Sequence, residues 1–401
     1  LVDRYGPGTP VKFDLLDRTL YQIVRANIEA EDFGGARKGL ERLLADFPKS
    51  DLSDDCQFVF SQALLNHGKP REAREAALDF QKRFPESPLR PDAELVLARS
   101  YVRETNWAAA TGELEGWVVR HSNHVARAQA EFDRAHVNYL AGKETNALPL
   151  YTNFVMNFPG SPLAPLAQLW VADYYYNQGD NFQAGMHYQM LDESTNTAVG
   201  ELRFRGRLGA AQAALLRGSA PTARRYLTNL VNDQSCPQSL LADAYYVLGE
   251  VEMADVPASG STNNLGRFPT AIKAFSAITN LPAAGRMEAL AKGRIGECHY
   301  QYAGQTKDPK RYVQATNEWH QVLTNSLASV AARSQAEFGI AKVYERQAEN
   351  LEATEQKQVL ELAWNRYLNI VYGNGLGTEK PDPYWVKEAG LAAGQLAVRL
   401  L

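Results

Sequence analysis

Residues Phe84–Glu94 read FPESPLRPDAE, and residues Phe158–Gln168 read FPGSPLAPLAQ. The two phrases share Phe-Pro, Ser-Pro-Leu and a further Pro, and they lie 74 residues apart. Phe47-Pro48 opens a third copy 37 residues before the first, and His121-Ser122 stands at the register between the two phrases. A second marker keeps the same step. Ala36, Ala73, Ala110, Ala147 and Ala184, each just after a turn, follow one another at intervals of 37 residues. Self-similarity at a fixed period of this length signals a repeat architecture and outranks any local reading.

Between the markers the apolar period is helical. In the fifth repeat Leu169, Ala172 and Tyr176 fall at i, i+3 and i+7. A turn follows at Gly179-Asp180, and Ala184, Tyr188 and Leu191 form a second apolar stripe. Each repeat therefore reads as two antiparallel helices joined by a tight turn. Phe-Pro ends one second helix, Ser-Pro starts the link, and Pro91 or Pro165 opens the next first helix. Proline is tolerated there because first-turn N–H groups lack intrahelical partners. One helix pair cannot bury both of its apolar faces, so the pairs must stack and share a core. Alanine beyond the turn lets the second helix approach the first, while Trp117, Tyr151, Phe154 and Tyr188 fill the space between pairs.

After Ala184 the equivalent markers fall near Ala223, Ala271, Ala315 and Ala363, at spacings of 39, 48, 44 and 48 residues. Residues 1–196 are thus expected to hold about five regular repeats. Residues 197–401 continue them with longer repeats, insertions and a capping helix. Ala254–Arg267 and Gly304–Lys310 read as surface loops. Glu345–Gln358 reads as the extension of two helices, and Gly373–Pro383 leads to a last helix, Tyr384–Leu401. The fold class is all-α: a right-handed solenoid of about nine helix pairs.

These repeats resemble the tetratricopeptide repeat. The family's pattern matches Val171, Ala172, Tyr175, Ala184 and Tyr188 in the fifth repeat and Tyr245, Leu248 and Gly249 in the seventh. The chain departs from it where repeat six lacks the terminal Pro and where Phe80, Trp117 and Phe154 occupy a small-residue position. The 37-residue period with FPxSP joints is similar to the bacterial-envelope branch, to which the Tol-Pal coordinator and the outer-membrane assembly lipoprotein belong. The resemblance implies a scaffold that binds a protein or peptide partner in a groove lined by the first helices, in the periplasm or cell envelope. One column of that groove would be Tyr21, Phe58, Leu95, Phe132 and Leu169, continued by Leu208 and Tyr246. A second would be Arg25, Gln62, Arg99, His136 and Asp173, continued by Gln212 and Glu250. Arg103 and Tyr176 complete the candidate set. The apolar column reads equally as half-buried packing.

Other function classes find less in the sequence. The net charge is −4 with 22% charged residues, which offers no field for nucleic acid. No apolar run reaches the roughly 18–20 residues of a membrane span. The chain begins at Leu1 and reads as a mature or trimmed soluble chain, with any signal or N-terminal membrane anchor out of view. Cys56, Cys236 and Cys298 are widely spaced and read as apolar filler. No phosphate-loop, dinucleotide, zinc-protease or nucleophile-elbow motif occurs, so no enzyme activity and no cofactor are expected. His121 and His124 in HSNH have no third ligand nearby and stand at a joint, so no metal is expected either. The aromatic cluster Trp170–Tyr176 falls at packing positions. A cytoplasmic adaptor, and an envelope glycan-binding protein or enzyme, stay open as alternatives.

Overall fold

The computed structural model describes residues 15–254, 265–282 and 284–400. Nineteen α-helices and no strand occupy these residues. Packing groups them into two units, residues 15–171 with Asn196–Ala198, and residues 172–195 with 199–400.

In the first unit the helices are α1 (Leu16–Glu29), α2 (Phe33–Asp46), α3 (Ser53–Asn66), α4 (Pro70–Arg83), α5 (Arg90–Arg103), α6 (Trp107–Arg120), α7 (Arg127–Leu140) and α8 (Glu144–Asn157). α9 (Ala164–Asn177) begins in this unit and ends in the second. First helices start at 16, 53, 90, 127 and 164, and second helices at 33, 70, 107 and 144, so the 37-residue step of the sequence is the step of the structure.

Three local devices enforce that step. Within each pair the turn carries one left-handed residue: Glu31, Gly68, Thr105 and Gly142, with φ between 57° and 71°. Beyond it, the Asp32 and Asn106 side chains accept from the Gly35 and Ala109 amides at 2.9 and 3.3 Å, capping α2 and α6. Between pairs, Ser50, Ser87 and Ser161 of the FPxS joints accept from the amides of Leu52, Leu89 and Leu163. Ser50 and Ser87 also donate to Asp17 and Asp54 of the preceding first helix, at 2.7 and 2.6 Å.

HSNH is the same joint in different residues. His124 Nδ1 accepts from the Ala126 amide at 3.2 Å, as the serine oxygens do. His121 lies 5.1 Å from the Trp117 ring, matching Phe84 on Phe80 and Phe158 on Phe154. The core follows the alanine markers, since Ala36, Ala73, Ala110 and Ala147 are fully buried. Trp117 is buried beside them, and its Nε1 donates to the Pro91 carbonyl at 2.7 Å.

The second unit contains the end of α9, then α10 (Asn181–Asp192), α11 (Leu202–Leu216), α12 (Ala220–Val231), α13 (Gln238–Ala254), α14 (Arg267–Thr279), α15 (Arg286–Thr306), α16 (Pro309–Thr324), α17 (Val330–Ala348), α18 (Ala353–Tyr372) and α19 (Pro383–Leu400). Ala184, Ala223, Ala271, Ala315 and Ala363 are all fully buried, so the markers survive the irregular spacing. Most of the added length is helix. α15, α17 and α18 run to 21, 19 and 20 residues. The expected loop Gly304–Lys310 is corrected accordingly. Gly304–Thr306 is the last part of α15, Lys307 turns the chain at φ 56°, and Asp308 caps α16, with Pro309 at its first position. Most of the expected insertion Ala254–Arg267 lies outside the described residues. Trp319 anchors this part of the core. Its Nε1 donates to the Gly293 carbonyl at 3.1 Å, and its ring lies so close to Gly296 and Gly339 that a Cβ at either would approach within 2.6 Å.

Candidate functional site

The column residues all sit on first helices. Tyr21 and Arg25 are on α1, Phe58 and Gln62 on α3, Arg99 and Arg103 on α5, and Phe132 and His136 on α7. Asp173 and Tyr176 lie on the part of α9 that belongs to the second unit. Within the first unit, repetition of one register places Tyr21, Phe58 and Phe132 in one row and Arg25, Gln62, Arg99 and His136 in another, because side chains 37 residues apart occupy the same face of successive first helices.

Much of the apolar column is engaged in packing. Tyr21 and Phe58 are half-buried against the core of the first two pairs. Leu95, Leu169 and Leu208 are buried. Phe132 meets Tyr151 and Phe154 edge-on, each at 5.6 Å.

The polar column is more open. Gln62, Arg99, Arg103 and His136 line one hollow of about 300 Å³, with walls from Leu65, Val96, Val102, Leu114 and Val137. Their charges are unequal. Arg99 binds Asp133 with both Nε and Nη2 at 2.9 Å, and Gln129 holds the other Asp133 oxygen at 2.7 Å. His136 stacks on Phe132 and places Nδ1 3.1 Å from the Tyr151 hydroxyl. Arg103 is exposed and makes no ion pair among the described residues. It is therefore the cation available to a ligand. Sequence columns alone missed Asp133 and Asn66, which also line the hollow. Asn66 stands 37 residues before Arg103, so a third column through Arg103 identifies it.

In the second unit two members of the polar column, Asp173 and Glu250, are tied down. The Tyr188 hydroxyl donates to Asp173 at 2.5 Å, with the Tyr176 ring 6.4 Å from that of Tyr188. Arg294 grips Glu250 with two bonds of 2.5 and 2.8 Å. Two further hollows occur here, of about 610 Å³ beside Glu252 and about 890 Å³ beside Glu349. Each has one carboxylate in its lining, paired with Arg224 or Arg346. Glycoside hydrolysis calls for two cooperating carboxylates, which neither hollow supplies.

One buried carboxylate belongs to the first unit's framework. Glu94 is 3% exposed and accepts from Arg90, Arg120 and His121 at 3.1, 2.9 and 2.9 Å. Burial alone would raise its pKa, but the hydrogen bonds from Arg120 and His121 outweigh that and hold the carboxyl below its ordinary value. The cysteines are free and buried, and burial pushes the Cys56 and Cys298 thiols up to about 12. Among the described residues no group of three metal-ligating side chains converges, and no helix is long and apolar enough to cross a membrane.

No protein-family model and no curated protein matches the sequence. Solved structures do. The C-terminal part of a TPR repeat-containing protein from Cytophaga hutchinsonii matches with a TM-score of 0.51 at 14% identity, over 69% of this chain and 98% of that one. A tetratricopeptide repeat protein from Parabacteroides merdae matches at 13% identity and a TM-score of 0.38, over 66% of this chain and 93% of that one. At such identities the first likeness is one of fold, and it agrees with the helix pairs described above: this chain has the all-α architecture of the tetratricopeptide-repeat solenoids.

Proposed function

We propose that this chain is a non-catalytic interaction scaffold that holds an acidic segment of a protein partner against the first helices α3, α5 and α7. The observation that carries the reading is the hollow on those helices. There the unpaired Arg103 converges with the amides of Gln62 and Asn66 above apolar walls. A carboxylate entering it receives a charge-assisted hydrogen bond from Arg103, while neighbouring apolar side chains of the segment cover Leu65 and Val102. Arg99 contributes less attraction, because Asp133 already neutralises it. Helices fixed by packing on both sides keep the ordering cost of binding low. The setting we propose is the bacterial cell envelope, supported by the likeness of the FPxSP joints to that branch of the repeat family.

Titration of short acidic, neutral and basic peptides tests the reading. Acidic peptides should bind best, and Arg103→Ala should weaken them about tenfold without altering the helical circular dichroism. Equal binding by the variant, or preference for basic peptides, would remove the assignment.

A further inference from the structure

The Tyr151 hydroxyl is buried and has one partner. Tyr151, on α8, is 1% exposed, edge-on to Phe132 of α7 and with its ring 4.5 Å from that of Trp170 on α9. Its oxygen lies 3.1 Å from His136 Nδ1, and no other hydrogen bond reaches it among the described residues. A buried tyrosine hydroxyl needs an acceptor for its proton, and Nδ1 is the one within reach. The hydroxyl therefore donates and Nδ1 accepts, which places the proton of the neutral imidazole on Nε2.

The next repeat contains the same pair. Tyr188 stands 37 residues after Tyr151, Asp173 stands 37 residues after His136, and the Tyr188 hydroxyl donates to Asp173 at 2.5 Å. A carboxylate only accepts, so the direction of that bond is fixed, and it is the direction inferred at His136. The two held side chains differ in what they leave over. Asp173 keeps acceptor oxygens, whereas His136 keeps an N–H.

That N–H belongs to the hollow of the site proposed above. His136 is half-buried and lines it together with Gln62, Arg99, Arg103 and Asp133. Tyr151 takes Nδ1, and Nε2 has no hydrogen-bond partner among the described residues. The ring also stacks on Phe132, so its orientation is set before a ligand arrives and little ordering cost remains.

We propose that His136 is a specificity-determining donor for the acidic segment, its Nε2–H meeting a carboxylate oxygen beside Arg103, with Tyr151 as the positioning residue. The inference rests on the function proposed above, since it needs a carboxylate in that hollow. It also narrows the ligand. A carboxylate gains from a neutral donor next to a cation, while a basic or purely apolar segment would cover the Nε2–H without giving it an acceptor.

Substitutions at this one position separate the donor from its bulk. Binding of a blocked Glu-Leu-Glu peptide should weaken about fivefold in His136→Leu. His136→Gln, whose amide NH2 replaces the Nε2–H donor, should bind within about twofold of the native chain. His136→Glu, which offers acceptors as Asp173 does, should weaken binding most. Nitrogen-15 NMR of the histidine-labelled full chain at about pH 8, where a free imidazole is neutral, reads the ring directly and needs no variant of His136 to fold. Nε2 should carry the proton and its resonance should move when the peptide is added. The Nδ1 resonance should move in Tyr151→Phe, which keeps the ring packing and removes the hydroxyl. A proton on Nδ1 in the native chain, or an Nδ1 resonance indifferent to Tyr151→Phe, overturns the inference. So does equal binding by His136→Leu and the native chain while Arg103→Ala still weakens it, a result that leaves the scaffold reading standing. Absence of binding by the native chain removes both.

Discussion

Replacing Gly68 or Gly142 by alanine isolates one physical term in the repeat. Both residues hold φ 71°, and a Cβ at either would meet nothing within 4 Å. No clash arises, so the cost is the left-handed backbone itself, about 1–2 kcal/mol for an L-residue. Alanine returns about 0.4–1 kcal/mol by stiffening the unfolded chain, which leaves a net loss of roughly 0.5–1 kcal/mol per site. Glu31 and Thr105 occupy the same turn position at φ 57°, so Glu31→Gly and Thr105→Gly should stabilise by a similar amount. Repeat arrays need not unfold in one step, so native-state hydrogen exchange is the suitable assay. Amides of α3 and α4 should exchange about two- to fivefold faster in Gly68→Ala, and those of α1 and α2 correspondingly slower in Glu31→Gly. Neutral alanine variants together with destabilising glycine variants would refute both the turn geometry and the register built on it.

Three further outcomes follow from the packing. Ala147→Leu should overfill a fully buried site and cost about 1–3 kcal/mol, read as a lowered melting temperature; an unchanged one contradicts the role of the alanine markers. Glu94 has its carboxyl depressed in the folded state, so its stabilisation is complete above the unfolded value of about 4.3 and is lost as the pH falls through the folded one. The stability gap between native and Glu94→Gln chains should therefore narrow below about pH 4, and a gap constant with pH would argue against the network. Cys56 and Cys298, buried with thiols raised to about 12, should resist alkylation at pH 8 until denaturant is added; rapid labelling of the native chain would contradict their burial.

The fold was legible because packing at each joint repeats a chemical role, and roles survive changes of residue. His124 shows the limit of this. As a sequence it breaks the serine of the joint, yet its Nδ1 accepts the same backbone amide that serine accepts elsewhere. The helix pairs of the second unit were found from buried alanines, although the excess length was partly misread as loop: Gly304–Thr306 continues α15 because nothing in the core ends the helix before the left-handed Lys307. The candidate site was legible only in its columns. Whether Arg99 or Arg103 is available depends on Asp133, a partner 34 residues from Arg99 and therefore off the column. Side chains lean along the helix as well as outward, so pairs across repeats need not follow the repeat period.

Affinity capture from the native source bears most directly on the scaffold reading, with the native chain and Arg103→Ala as parallel baits and retained proteins identified by mass spectrometry. The account predicts a protein with an acidic segment that the native chain holds, the variant loses, and raised salt releases. Identical sets on both baits, or none specific to the native chain, would contradict it.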